Sequence, residues 1–454
     1  MQRKNPLLIG TLILTVTGLL SRFIGFFYRI FLSQTFGAEG MGIYQLISPV
    51  LALSFSLTVS GMQTAISKYV ASETTTHDYK TSFRTLWVGF LLSMALSFGC
   101  AAYIYEYSEW IAVTFLLEER TAPLLRIISF SIPMATVHSC INGYFYGIKK
   151  TGVPALSQLS EQVVRVGSVY LINHICVLQH MTPTINFAVV GLVIGEAASM
   201  VVSMIAIICR ALNVFDKPSA LGQRNTYGTG WMSSYRRITG NLLRLAVPLS
   251  LNRIIINILQ SIEAVFIPHK LMAYGLSNAN ALGVYGVLTG MSMPLILFPS
   301  AITNSISVLL LPIVSEADAS GNHSTVTKTI FKSIKYCLLL GFGCTALFLL
   351  CGRPAGRILF KSELAGSFIL TLSFICPFLY IASTLNSILN GLGKTALTFF
   401  YSIISLLVRL LFVFFAIPVW GIKGYLWGML VSQMVQTFLC TISALRISFQ
   451  RQTD

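Results

Sequence analysis

The feature that most constrains this chain is a succession of apolar runs, each about as long as a lipid bilayer is thick. A hydrocarbon core of ~30 Å needs ~20 residues of α-helix, and only helices or closed barrels satisfy their backbone hydrogen bonds inside it. The composition agrees, because 55% of the 454 residues are hydrophobic and 10% are charged, whereas soluble domains carry roughly 25% charged residues. We therefore predict an all-α integral membrane protein of about twelve transmembrane helices. The predicted spans are 7–33, 42–66, 84–105, 122–147, 153–178, 186–209, 242–267, 283–311, 333–351, 364–390, 396–417 and 421–445.

The basic residues follow a topological pattern. A net charge of +16 would suggest nucleic acid in a soluble protein. Here the lysines and arginines concentrate on alternate connections between spans, as the positive-inside rule describes. If the N-terminus is cytoplasmic, the inner segments hold nineteen of them and the outer loops six. We therefore predict that both termini are cytoplasmic and that no nucleic acid is bound.

The second half of the chain repeats the first. At an offset of 244 residues, PMATVHSCINGYFYGIKKTG from Pro133 aligns with PFLYIASTLNSILNGLGKTA from Pro377 without a gap. The unit is six helices, and an even number returns the chain to the same side, so the repeats are predicted to be parallel. We predict an N-terminal lobe at 1–210, a basic cytoplasmic linker at 211–241 and a C-terminal lobe at 242–454.

Several ionisable residues fall inside the predicted spans. Such residues are costly in a bilayer and tend to face a protein interior or a watery cavity. The cations are Arg22, Arg29, Arg126, Arg165, Arg253 and Arg409, and the anions are Glu161, Glu196 and Glu263. The difference between six cations and three anions predicts a positively charged interior.

These charges admit both structural and functional interpretations. Arg29 and Arg126 are compatible with side chains that reach the headgroups from helix ends. Glu161 and Arg165 are four residues apart, which also suits an ion pair within one helix. Arg22 and Arg253 fall near the middle of their spans, and for these two we favour a cavity that binds an anion.

The repeat strengthens the anion-site hypothesis. It aligns Arg165 with Arg409, and, more weakly, Arg22 with Arg253. A planar guanidinium binds two oxygens at once and stays charged, which suits a phosphate. Polar residues could bond sugar hydroxyls; Asn142 and Asn386 are an aligned pair of this kind, although contacts between helices are equally typical of them. The nine cysteines and six histidines form no metal-binding pattern, and we predict that His138 is packed or hydrogen-bonded.

The segment GLLSRFIGFFYRIFLSQTFGAEGMGIYQLISPVLALSFSLTVSGMQTAISKYVA resembles the opening of stage V sporulation protein B-like membrane proteins. These form part of the polysaccharide transporter branch of the multidrug/oligosaccharidyl-lipid/polysaccharide exporter superfamily. The resemblance implies a two-lobed, V-shaped alternating-access transporter for polyprenyl-diphosphate-linked sugars in a bacterial plasma membrane. Related lipid II flippases carry arginines on the first-helix motif where Arg22 and Arg29 fall. Many members have two further helices after the twelfth, whereas this sequence ends at Asp454, so lipid II is a less expected substrate.

Three functions follow as hypotheses. The first is a monomeric flippase for an anionic lipid-linked saccharide, without a cofactor and with coupling to Na⁺, H⁺ or the membrane potential. In it, Arg22, Arg29, Arg253, Arg165, Arg409, Asn142 and Asn386 bind substrate. The second is a cation- or proton-coupled multidrug exporter with Glu161, Glu196 and Glu263 as coupling sites. The third, a membrane glycosyltransferase, is disfavoured because the largest loop is basic, and no nucleotide-binding loop is present.

Overall fold

The computed structural model describes residues 6–75, 79–215, 231–321 and 323–453, and in these ranges the chain is helical with no β-strand. The predicted linker at 211–241 lies partly outside the described residues, since 216–230 are not among them. The absence of strands in the described ranges agrees with the predicted all-α class.

Nineteen α-helices follow one another along the described chain. Their bounds are α1 Pro6–Leu46, α2 Ser48–Phe55, α3 Gly61–Thr75, α4 Tyr79–Glu106, α5 Ser108–Trp110, α6 Ala122–Ser129, α7 Ser131–Gly147, α8 Gly152–Leu178, α9 Asn186–Phe215, α10 Trp231–Ala273, α11 Asn278–Gly286, α12 Met293–Leu297, α13 Ser300–Ala319, α14 His323–Phe360, α15 Glu363–Leu372, α16 Cys376–Gly391, α17 Thr395–Leu411, α18 Ile417–Trp420 and α19 Ile422–Thr453. Four π-helical segments interrupt them, at Ser56–Ser60, Ile111–Phe115, Val287–Ser292 and Phe412–Ala416. Two 3₁₀ turns lie at Glu119–Thr121 and Ser373–Ile375.

The number of helices able to cross a membrane is smaller than predicted. Among the described residues, nine are long and apolar enough, or ten if the bent pair Glu119–Ser129 and Ser131–Gly147 is one span. One reason is that Leu12–Thr75 forms a single helical stretch of 64 residues, which contains residues 12–33 of the first predicted span and the whole of the second. Another is that α8, although 27 residues long, is too polar to qualify. The fold class is confirmed, and the count of twelve exceeds what this criterion supports.

The chain forms two compact units whose bounds do not follow chain order. The first unit comprises Met1–Ile24 and Ile47–Ile258, and the second comprises Gly25–Leu46 and Leu259–Asp454. The second part of α1 therefore belongs with the second unit, and most of α10 belongs with the first. The lobe boundaries at 210 and 242 stay a prediction.

The local backbone reproduces the internal repeat. After α7, Lys149 has a φ of 59°, and the residue 244 positions later, Gly393 after α16, has a φ of 74°. The closing hydrogen bonds also correspond, because Lys150 N donates to Phe145 O and Lys394 N donates to Leu389 O, both at 2.9 Å. Both helices thus end in a left-handed residue with the same 6→1 bond.

The core of the first unit lies where α3, α4 and α7 meet. Tyr144 of α7 is fully buried, its ring lies 5.1 Å from that of Phe83 on α4, and Ile66 of α3 is buried beside them. In the second unit, a glycine contact brings backbones together. A Cβ at Gly42 would lie 2.1 Å from the Leu282 carbonyl oxygen, so this approach of α1 to α11 requires glycine.

Candidate functional sites

A polar cluster occupies the interior of the first unit, on α7, α8 and α9. Glu196 accepts a hydrogen bond from His138 Nε2 at 2.7 Å and lies 3.5 Å from an Arg165 terminal nitrogen. Arg165 also pairs with Glu161, one turn earlier on the same helix. The four side chains are only 12–16% exposed. The predicted ion pair between Glu161 and Arg165 is therefore confirmed, and it is part of a larger network.

The cluster has one more acidic side chain than it has arginines, so one further positive charge would neutralise it. Two carboxylates face one guanidinium, so the cluster carries about one negative charge when His138 is neutral. Ligand atoms of His138, Glu161 and Glu196 all lie within 4.8 Å of one another. A proton on the imidazole, or a monovalent cation beside the carboxylates, would neutralise the site. Histidine is the side chain that most readily changes charge near neutral pH.

A second ion pair lies inside the second unit. Arg409 Nε on α17 is 2.5 Å from Glu263 Oε1 on α10, and these side chains are 16% and 7% exposed. The Tyr425 hydroxyl on α19 donates to the same carboxylate oxygen at 2.7 Å. The pair thus joins three helices and balances its own charge.

The repeat-related arginines therefore have acidic partners. Arg165 and Arg409 are each within ion-pair distance of a glutamate of their own unit. Their use as phosphate ligands stays a prediction, but it would require exchange of a carboxylate for the phosphate. Arg126 is likewise engaged, because it donates to Glu109 at 2.8 Å near the end of α6.

The remaining predicted arginines differ in exposure. Arg22 on α1 and Arg253 on α10 are exposed within apolar helices, and both belong to the first unit. Within the described part of the chain, Arg253 makes no ion pair or side-chain hydrogen bond. Arg29 is half-buried in the second unit and donates to the Thr289 carbonyl at 3.3 Å. That carbonyl lies in a π-helical segment, where the regular ladder is interrupted.

The two predicted asparagines make contacts between helices. Asn142 on α7 is buried and donates to Ser157 Oγ of α8 at 3.4 Å. Asn386 on α16 accepts from the Cys440 thiol of α19 at 3.2 Å. These contacts match the structural alternative, and a role in sugar binding stays a prediction.

The prediction that His138 is packed or hydrogen-bonded is confirmed by its bond to Glu196. Its membership of a charged cluster, and the contact of Tyr425 with Glu263, are not predicted from the sequence. A signal existed for His138, since a histidine within a span, like a carboxylate, is often part of an intramembrane relay. No comparable signal exists for Tyr425, which meets Glu263 only through the rotation of α19 about its axis.

The profile of a family described as polysaccharide biosynthesis protein matches residues 7–318, which is more than half of the chain. The chain belongs to this family. A second profile, MatE, matches residues 248–415. This polysaccharide biosynthesis family protein is a multi-pass membrane protein.

Relatives and solved structures support the same placement. The chain is 27% identical over 439 residues to stage V sporulation protein B of Bacillus subtilis (strain 168), covering 96% of this chain and 83% of the relative. It is 23% identical over 429 residues to the lipid II flippase MurJ of the same organism, covering 90% and 76%. The fold resembles a multidrug resistance MATE family transporter in an inward-facing conformation. The TM-score is 0.67 at 16% identity, over 98% of this chain and 99% of that one. The fold is thus MATE-like.

Proposed function

We propose that this protein is an alternating-access flippase that moves polyprenyl-diphosphate-linked saccharides across a bacterial plasma membrane. Membership of the polysaccharide biosynthesis family supports the substrate class, and so does similarity to a protein named lipid II flippase. The observation that carries the proposal is the exposure of Arg22 and Arg253 within apolar helices of one compact unit.

The physical reason is the cost of an exposed guanidinium at membrane depth. The free-energy cost of such a charge is several kcal/mol lower where it faces water or an anion than where it faces hydrocarbon. A diphosphate offers several oxygens in the geometry that a guanidinium fork recognises, and an uncharged or cationic cargo does not. Arg22 and Arg253 would hold the diphosphate, and Arg29 stays a predicted substrate ligand of the second unit.

The cluster around Glu196 supplies a candidate coupling site. Taking up one proton or one monovalent cation would neutralise the network of His138, Glu161, Glu196 and Arg165, and releasing it would restore a negative charge. The two charge states would favour different packing of α7 against α8 and α9, which is what a coupled transporter needs. The protein would act as a monomer with both termini in the cytoplasm.

Transport in proteoliposomes tests the proposal. The purified full chain would be reconstituted with a fluorescent polyprenyl-diphosphate saccharide, and translocation would be followed by quenching of the probe in the accessible leaflet. We expect the Arg22→Ala/Arg253→Ala variant to lose translocation. Its control, Arg84→Ala/Arg236→Ala, removes two exposed cations of the same unit from the predicted cytoplasmic ends and should retain it. Equal translocation by both variants would reject the role of the two arginines.

A second candidate function is cation-coupled export of drugs, and the acidic cluster favours it. In this case Glu196 and not the arginines would be essential, and the cargo would be an organic cation. Glu196→Gln would abolish drug resistance in an exporter-deficient bacterial strain, and Arg22→Ala/Arg253→Ala would leave it unchanged. The flippase proposal predicts no drug resistance from the wild-type chain.

A further inference from the structure

An apolar groove lies in the first unit beside one of the exposed arginines. Leu53 and Leu57 line it from α2 and the π-helical segment after it, Ile104 from α4, and Trp110 and Phe115 from the turn that follows. Ile254 of α10 closes one side. We call this the α2–α4 groove. Its volume of about 300 Å³ is at the lower end of the range of roughly 300–1,000 Å³ that is typical of small-molecule sites.

The interior of the groove offers no place for a polar headgroup. The side chains in its lining that carry a polar atom besides Trp110 are Ser54, Cys100 and Tyr103, and Ser54 Oγ already donates to the Val50 carbonyl of the same helix at 2.7 Å. Nearly all of the rest of the lining is hydrocarbon or aromatic. The α2–α4 groove can therefore hold a hydrocarbon chain, and a charged or sugar group would have to stay outside it.

A cation on α10 immediately precedes one of the lining residues of the groove. Arg253 is exposed and is the residue before Ile254. One turn later on α10, the Asn257 amide donates to the Ala52 carbonyl at 3.1 Å and also to Ser56 Oγ. These bonds tie α10 to the helix that carries Leu53 and Leu57. The segment of α10 that carries Arg253 is thus held against the helix that forms one wall of the groove.

We propose that the α2–α4 groove binds the polyprenyl chain of the lipid-linked substrate while Arg253 holds its diphosphate. This assignment rests on the proposed function and adds to it a place for the hydrocarbon part. The match is one of chemistry, because an anion joined to a single long hydrocarbon chain fits a cation beside a single groove. A two-chain phospholipid would leave one chain outside.

Two π-helical segments shape the site. Ser56–Ser60 and Ile111–Phe115 both contribute lining residues, Leu57 and Phe115 among them. Each adds a residue to a helical turn and widens it, and such segments recur at functional sites. Both segments thus contribute side chains to the wall of the α2–α4 groove.

Photocrosslinking of the full chain in lipid nanodiscs tests the proposal. One probe is a polyprenyl diphosphate with a diazirine in its chain, and the other is phosphatidylglycerol with a diazirine in an acyl chain. Labelled peptides would be mapped by mass spectrometry. Leu57→Trp fills the groove from a half-exposed position, and Leu91→Trp places the same ring on the opposite face of α4, where Leu91 is 62% exposed.

We expect the polyprenyl probe to label residues 53–57 and 100–115. Labelling should fall at least fivefold in Leu57→Trp and in Arg253→Ala, and should be unchanged in Leu91→Trp. Excess phosphatidylglycerol should not compete. Phosphatidylglycerol labelling of the groove with equal yield would overturn the proposal in favour of an ordinary bilayer-lipid pocket.

Different results would overturn the groove assignment and the flippase proposal. If the diphosphate binds in an Arg253-dependent manner and the chain labels other helices, the groove assignment is overturned and the flippase proposal stands. If the polyprenyl diphosphate does not bind at all, as judged by native mass spectrometry of the wild type, both fall.

Discussion

Removing Arg409 should destabilise the protein far more than an average substitution. Glu263 is 7% exposed, and without the guanidinium its charge would keep one hydrogen bond, from the Tyr425 hydroxyl. Breaking a buried ion pair by removing one partner costs about 3–5 kcal/mol. For Arg409→Met this corresponds to a loss of roughly 10²- to 10³-fold or more in the ratio of folded to unfolded protein.

The same reasoning predicts that the loss can be reversed. Arg409→Met/Glu263→Leu/Tyr425→Phe replaces the whole network by apolar side chains of similar size, an exchange that is often neutral or stabilising by about 1–4 kcal/mol. The free energy of unfolding of the triple variant should therefore be close to that of the wild type. Denaturant titration in mixed micelles, followed by tryptophan fluorescence, measures the free energy of unfolding of the single and the triple variant. Wild-type stability of Arg409→Met, together with loss of diphosphate binding, would refute the structural account and make Arg409 a substrate ligand.

Three shorter predictions concern other parts of the molecule. His138→Leu should lower transport, because it removes the imidazole that is hydrogen-bonded to Glu196 at 2.7 Å; transport at the wild-type rate in proteoliposomes would contradict this. Gly42→Val should lower the free energy of unfolding by about 1–3 kcal/mol or more, because the larger side chain overpacks the contact. The loss of folded protein would be seen in size-exclusion chromatography. Gly18→Ala, with open space at its Cβ, should behave as wild type. Lys149→Gly should stabilise the protein and Gly393→Ala should destabilise it, each by about 1 kcal/mol, because both positions have a left-handed backbone. Melting temperatures of the two variants that shift in the same direction would contradict this prediction.

Sequence alone predicts well those features that depend on local spacing. The pairing of Glu161 with Arg165 follows from their separation of four residues on one helix. The shared helix ends at Lys149 and Gly393 follow from the repeat, because the two halves align in their turns as well as in their apolar positions. The all-α membrane class follows from the apolar runs.

Features that depend on the rotation of one helix against another were not predictable. His138 and Glu196 are 58 residues apart in sequence, and Glu263 meets Arg409 and Tyr425 from two other helices. Apolar runs set the depth of a residue in the membrane but not the direction in which its side chain points. The two first predicted spans also merge into the stretch Leu12–Thr75. A connection was expected between them, but the chain departs from helical backbone geometry there only at Gly37, with a φ of 70°, and then continues as helix.

The central claim is that Arg22 and Arg253 bind a diphosphate, and binding by native mass spectrometry tests it most directly. Purified wild type, Arg22→Ala/Arg253→Ala and the control Arg84→Ala/Arg236→Ala would each be titrated with a polyprenyl diphosphate and with the matching polyprenol. The account predicts binding of the diphosphate but not of the alcohol by the wild type and the control, and a loss of at least tenfold in affinity in the Arg22→Ala/Arg253→Ala variant. Equal binding by all three proteins, or binding that does not distinguish the diphosphate from the alcohol, would contradict it.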